Sequence, residues 1–149
     1  MSVLSRFLAI EAGVSAVING ALSAGFAALL FSGRESIPAF GNGGFAPDFP
    51  VQTFMVALMS VTVPSLIARA RLRSGGLAGA VAAPAGPLWR RALGTALAAA
   101  VGLGGAAMLL SLVVPPLAFP TLLGIKVAYG AGLAALVTPW ALSRVVAPV

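Results

Sequence analysis

The chain has 149 residues, 60% of them hydrophobic and 8% charged, with a mean hydropathy of +1.06, whereas a soluble domain carries about 25% charged residues. It has no Cys, no His and only three acids, Glu11, Glu35 and Asp48, which excludes disulfides, thiolate and Cys/His metal chemistry, the usual general base and a carboxylate cage. The net charge of +6 would point to nucleic acid in a soluble chain, but here the cations sit between long apolar runs, so membrane lipids are the expected partner and nucleic acid is not.

A bilayer core about 30 Å thick takes roughly 20 apolar residues in a helix. Four stretches meet that length, 7–31, 49–68, 92–114 and 120–143. None alternates apolar and polar residues as barrel strands do, so the expected fold is all-α, a single polytopic domain of four transmembrane helices.

In the first span, Glu11, Ser15, Asn19 and Ser23 recur every fourth residue and form a polar stripe along one face. Ala12, Ala16, Gly20, Ala24 and Ala28 lie beside it, so this face is expected to look into the bundle, where small side chains allow close approach and polar ones bond across helices. A cleaved signal has an apolar core of roughly 7–15 residues; this run is longer and holds Glu11 and Asn19, so it reads as a retained span.

The segment 32–48 carries Ile37-Pro38, the run Gly41-Asn42-Gly43-Gly44 and Pro47, and predicts turns. Its glycines follow no strand and precede no Walker lysine, so they are not a phosphate cradle. Asp48 ends this loop, and Gln52 stands four residues on, at the outer end of the second span. Next, 69–91 combines Arg69, Arg71, Arg73, Arg90 and Arg91 with a Gly/Ala/Pro tract, a flexible basic linker that could also hold anionic head groups. The third span is small almost all round, with Gly94, Ala98, Gly102 and Ala106 on one row and Ala92, Ala96, Ala100 and Gly104 on another, which predicts several packing neighbours. The fourth carries Gly124, Ala128 and Gly132, and holds Lys126 about 9 Å from its outer end.

Arg6, Arg144 and the five arginines of 69–91 fall on one side of a four-span chain, so the positive-inside rule places both termini in the cytoplasm. Trp89 and Trp140 fall at that same boundary. The pairs Phe49-Pro50 and Phe119-Pro120, Pro64 and Pro139, and Asn19-Gly20 and Gly104-Gly105 suggest a tandem duplication of a helical hairpin, which gives a parallel repeat.

Depth along the spans gathers Asn19, Ser23, Asp48, Gln52, Lys126 and Tyr129 into an outward-facing polar pocket. There Lys126 could receive an anionic head group or solute, pair with Asp48, or snorkel to the surface along its stem. Glu11, near the cytoplasmic end, is a proton-relay candidate or a partner for Arg6, Arg91 or Arg144. It lies too far from Lys126 to pair with it within one subunit. No metal ligand set and no cofactor are expected.

Val17-Ile18-Asn19-Gly20, then Ile37-Pro38 with Phe40-Gly41 and Asp48, and finally Lys126 with Ala135-Leu136-Val137-Thr138-Pro139, resemble a family of small bacterial inner-membrane proteins with four helices. The resemblance implies the same topology, a bacterial inner (plasma) membrane location, and Asn19, Asp48 and Lys126 as preferred positions. Small multidrug exporters are similar in having four short helices and an early glutamate, matched by Glu11, but not in the Gly/Ala-rich third span. Fluoride channels share only the span number. The expected function is non-enzymatic: binding or passing a small solute or ion at the outward-facing pocket, as a homo-oligomer or with a membrane-protein partner. The alternative is an accessory or structural subunit of a larger membrane complex.

Overall fold

The computed structural model describes residues 3–77, 79–83 and 86–148. Among the described residues four helices are long and apolar enough to cross a membrane: α1 (Val3–Phe31), α2 (Asp48–Arg73), α3 (Leu88–Val113) and α4 (Phe119–Ser143). Helix α3 contains a π-helical stretch, Ala100–Gly104, and closes on a 3-10 turn, Ser111–Val113.

The helix ends follow from local chemistry. Pro47 precedes α2 and Asp48 sits in its first turn, where a carboxylate faces the positive end of the helix dipole. Ser74 and Gly75 close α2, Gly75 taking the left-handed φ of 72° that glycine adopts without strain. Pro87 opens α3, Pro115-Pro116 follow it, and Pro120 occupies the first turn of α4. Helix α2 runs further than its apolar stretch and carries Arg69, Arg71 and Arg73, because 69–73 is made of good helix formers with no breaker before Ser74.

Helix α4 packs along α1, and α2 packs on both α3 and α4, whereas α1 barely touches α2. The order around the bundle is therefore α1, α4, α2, α3, and it is unchanged when the two hairpins are exchanged. The gaps obey the same exchange. One cleft lies between α1 and α2 and a second, wider groove between α3 and α4. The α2 positions lining the first, among them Asp48, Gln52 and Val56, recur at one constant interval as Ile125, Tyr129 and Leu133 lining the second.

This is the parallel two-hairpin arrangement, in a different register from the Phe-Pro motifs. The counterpart of Phe49 is Lys126, not Phe119, because α4 begins about two turns before the position equivalent to the start of α2.

Apolar residues cover the outside. Val17, Leu29, Val101 and Leu136 are each more than 70% exposed, while Glu11, Ser15, Asn19 and Ser23 are all buried. The expected inward-facing stripe is thus present. Helix α3 departs from expectation. Its Ala92, Ala96 and Gly104 face α2, but Gly94, Ala98, Gly102 and Ala106 are exposed, because only α2 packs extensively against it.

The two ends are closed differently. At the basic end, β1 (Ala80–Ala82) pairs antiparallel with β2 (Val146–Pro148), Val81 opposite Ala147, and Phe7, Leu77, Leu142, Val145 and Val146 cluster beneath. Part of the expected flexible linker is therefore a strand; Ala78, Pro84 and Ala85 of that linker lie outside the described residues. At the opposite end, Ile37 and Leu117 exchange backbone hydrogen bonds of 2.8 and 2.9 Å. The 32–47 loop is not merely a surface turn there: Ile37, Phe45 and Ala46 are buried against Phe31 and Leu122.

Candidate functional site

The apolar loop plug determines the environment of Lys126. With Phe45 and Phe49 packed over it, Lys126 is 1% exposed, and its Nζ donates to Asp48 Oδ2 at 2.8 Å and to the Phe45 carbonyl at 3.4 Å. The ammonium also lies 3.9 Å from the centroid of the Phe49 ring. The lysine therefore does not snorkel, and its charge is not open to an anionic ligand. Of the three roles open to it from sequence, pairing with Asp48 is the one observed. Glu11 is at a different level of the bundle and does not approach it, as the topology requires.

The second tie is Gln52. Its Nε2 donates to Ser23 Oγ at 2.8 Å and to the Lys126 carbonyl at 3.0 Å. A carbonyl can only accept, so the amide nitrogen must face it and the amide oxygen must point elsewhere. That oxygen, Oε1, is buried without a partner among the described residues. Asn19 behaves similarly: Nδ2 donates to the Ser15 carbonyl at 2.9 Å, and Oδ1 accepts nothing among the described residues. Asp48 Oδ1 is likewise free of hydrogen bonds among those residues, and the Asp48 side chain is 25% exposed.

These groups share the α1/α2 cleft of about 310 Å³, lined by Asn19, Ser23, Asp48 and Gln52 on the polar side. Leu22, Phe26, Val51, Met55, Val56 and Met59 form its apolar walls. Four of the six residues predicted for the pocket thus come together. Lys126 stands behind them, sealed off but bonded to Asp48. Tyr129 is separate: it lines the opposite, apolar groove, its ring 5.1 Å from Phe49, with its hydroxyl 2.6 Å from Thr53 Oγ1. Thr53 gives its own proton to the Phe49 carbonyl at 2.7 Å, so Tyr129 is the donor in that pair.

Glu11 is buried, 8% exposed, and has no ion pair among the described residues, contrary to the pairing expected from its depth. Arg91 instead donates to the Ala141 carbonyl at 3.3 Å, near the negative end of α4, and Arg144 stacks on Trp140. Arg6 is exposed.

A hydroxyl cluster absent from the sequence reading lies between Glu11 and the cleft. Thr138 Oγ1 donates to Ser15 Oγ at 2.8 Å, and Ser15 Oγ is 3.4 Å from Ser60 Oγ. The available signal was the presence of hydroxyls in otherwise apolar spans. The Phe45 carbonyl carried none, since a backbone acceptor has no mark in sequence.

Comparison with family models, curated proteins and solved structures found no match to the chain. Among the described residues no acid cluster could hold a metal ion.

Proposed function

We propose that this is an integral protein of a bacterial inner membrane, with its basic end in the cytoplasm, that binds a small solute at the polar end of the α1/α2 cleft. The observation that carries the reading is the pair of acceptors on the polar side of the cleft, Asn19 Oδ1 and Asp48 Oδ1, which take no hydrogen bond among the described residues. An acceptor left unbonded in an apolar surrounding costs about 1–3 kcal/mol, and a bound donor relieves that cost. At the constant interval Gln52 and Asp48 correspond to Tyr129 and Ile125, so the second groove lacks these polar groups. The resemblance to small four-helix bacterial proteins supports the same location.

Val51 lines the cleft and is 60% exposed, so Val51→Trp fills the space without breaking a hydrogen bond. Native mass spectrometry of protein taken from its own membrane into nanodiscs should find a molecule on the wild type that Val51→Trp has lost. Bare chain in both samples would contradict the reading.

A second reading, docking of a membrane partner or a second copy, is favoured by the uncovered row Gly94, Ala98, Gly102 and Ala106 on α3. A stoichiometric partner retained in mild detergent, and lost on Gly102→Leu, would support it.

A further inference from the structure

We infer that the occupant of the α1/α2 cleft is a single-chain lipid with an uncharged, hydroxyl-bearing head, of the monoacylglycerol kind, entering sideways from the membrane. The inference rests on the cleft being the binding site and names its ligand class.

Lys126 and Asp48 neutralise one another at 2.8 Å, and the lining residues include no lysine or arginine. An ammonium head would leave one positive charge in excess within the span, and a carboxylate or phosphate head one negative charge with no cation to meet it. Either excess is costly in an apolar surrounding. An uncharged head adds neither.

Hydrogen bonding narrows the head further. Among the described residues Asn19 Oδ1 and Asp48 Oδ1 are acceptors without donors on the cleft wall, and the amide nitrogens of Asn19 and Gln52 that could have donated are engaged with Ser15, Ser23 and Lys126. The site therefore asks for several donors. Two hydroxyls on adjacent carbons supply them, while Ser23 Oγ can return its proton to a head-group oxygen.

The body follows from the walls. Leu22, Phe26, Val51, Met55 and Met59 are between 39% and 60% exposed, so the cleft is open along its side and not only at its mouth. From Asp48 to Met59 it runs about 16 Å along α2, and its volume of about 310 Å³ suits one alkyl chain and a small head. Flexible methionines conform to such a chain. The symmetry-related groove lacks the acceptors, since Tyr129 and Ile125 replace Gln52 and Asp48, so the polar end is particular to the first cleft.

The test uses the full chain in nanodiscs loaded with equal amounts of 1-monododecanoylglycerol, dodecylamine or dodecanoate, read by native mass spectrometry. The glycerol ester should be retained at one per chain, above both charged probes. Asn19→Leu, which breaks only bonds within its own helix, should reduce that retention by about tenfold, the effect of one hydrogen bond to an acceptor in an apolar surrounding, while keeping the wild-type midpoint in detergent unfolding. Val51→Trp, which leaves every hydrogen bond in place, should abolish it. Preferred retention of dodecylamine, dodecanoate or a two-chain phospholipid, sensitive to Val51→Trp, would overturn the uncharged head and leave the cleft reading standing. Equal retention of every probe in wild type and Val51→Trp would overturn both.

Discussion

At the residue scale the Lys126–Asp48 pair does the most to organise the site. It joins α4 to α2 and, through the Phe45 carbonyl, to the loop plug. Removing one partner leaves the other charge uncompensated in a span, which costs roughly 3–5 kcal/mol when burial is complete. Asp48 is a quarter exposed, so Lys126→Met or Asp48→Asn alone should cost about 3 kcal/mol in detergent unfolding. The double variant should recover most of that. Independent, additive losses would show that the pair does not act as a unit. Sequence made Lys126 and Asp48 conspicuous because charges within or beside apolar spans are rare. It left Lys126 with three roles because the choice depends on Phe45 and Phe49 closing over the ammonium, a contact between segments far apart in the chain. The pairing expected of Glu11 fails for a related reason: depth brings it level with arginines, but depth does not say which carbonyl or ring each guanidinium will prefer.

At the element scale, the four helices were legible because each needs only a run of apolar residues of sufficient length. Their partners were less so. The small side chains of α3 suggested burial on several sides, yet only one row packs, and the π-helical stretch lies where that row meets α2. Gly104 illustrates the fit: an added Cβ would stand 2.6 Å from Pro50 Cα and 2.9 Å from Thr53 Oγ1. The nearer of these is backbone and cannot rotate away. Gly104→Ala should therefore destabilise by about 1–3 kcal/mol, as overpacking does. Gly102→Ala, with nothing within 4 Å, should be neutral or slightly stabilising in the same unfolding assay. Equal effects would mean that α3 does not seat on α2 through Gly104.

At the scale of the whole molecule, the arrangement is two helical hairpins exchanged by an approximate two-fold relation, with β1–β2 closing the basic end and Ile37–Leu117 the other. Paired short motifs suggest a duplication, but the constant interval between the two cleft linings has a different register from theirs. Phe-Pro marks where a helix starts, whereas the packing relation is set by which residues face the bundle. Orientation can be tested directly because the chain has no cysteine. A membrane-impermeant maleimide should label Gly41→Cys in intact cells and Arg73→Cys only after permeabilisation, both positions being exposed; the reverse would invert the topology. The central claim is that the gap between α1 and α2 is an occupied site whose polar end is built around Asn19 and Asp48. A cryo-EM structure of the full chain in nanodiscs of its native lipids, held by an antibody fragment, tests it most directly. Elongated density is expected between Leu22, Phe26 and Met55, ending within hydrogen-bond distance of Asn19 Oδ1 and Asp48 Oδ1, with Lys126 still on Asp48. Helices α1 and α2 closed against each other, or Lys126 turned out to the surface, would contradict it.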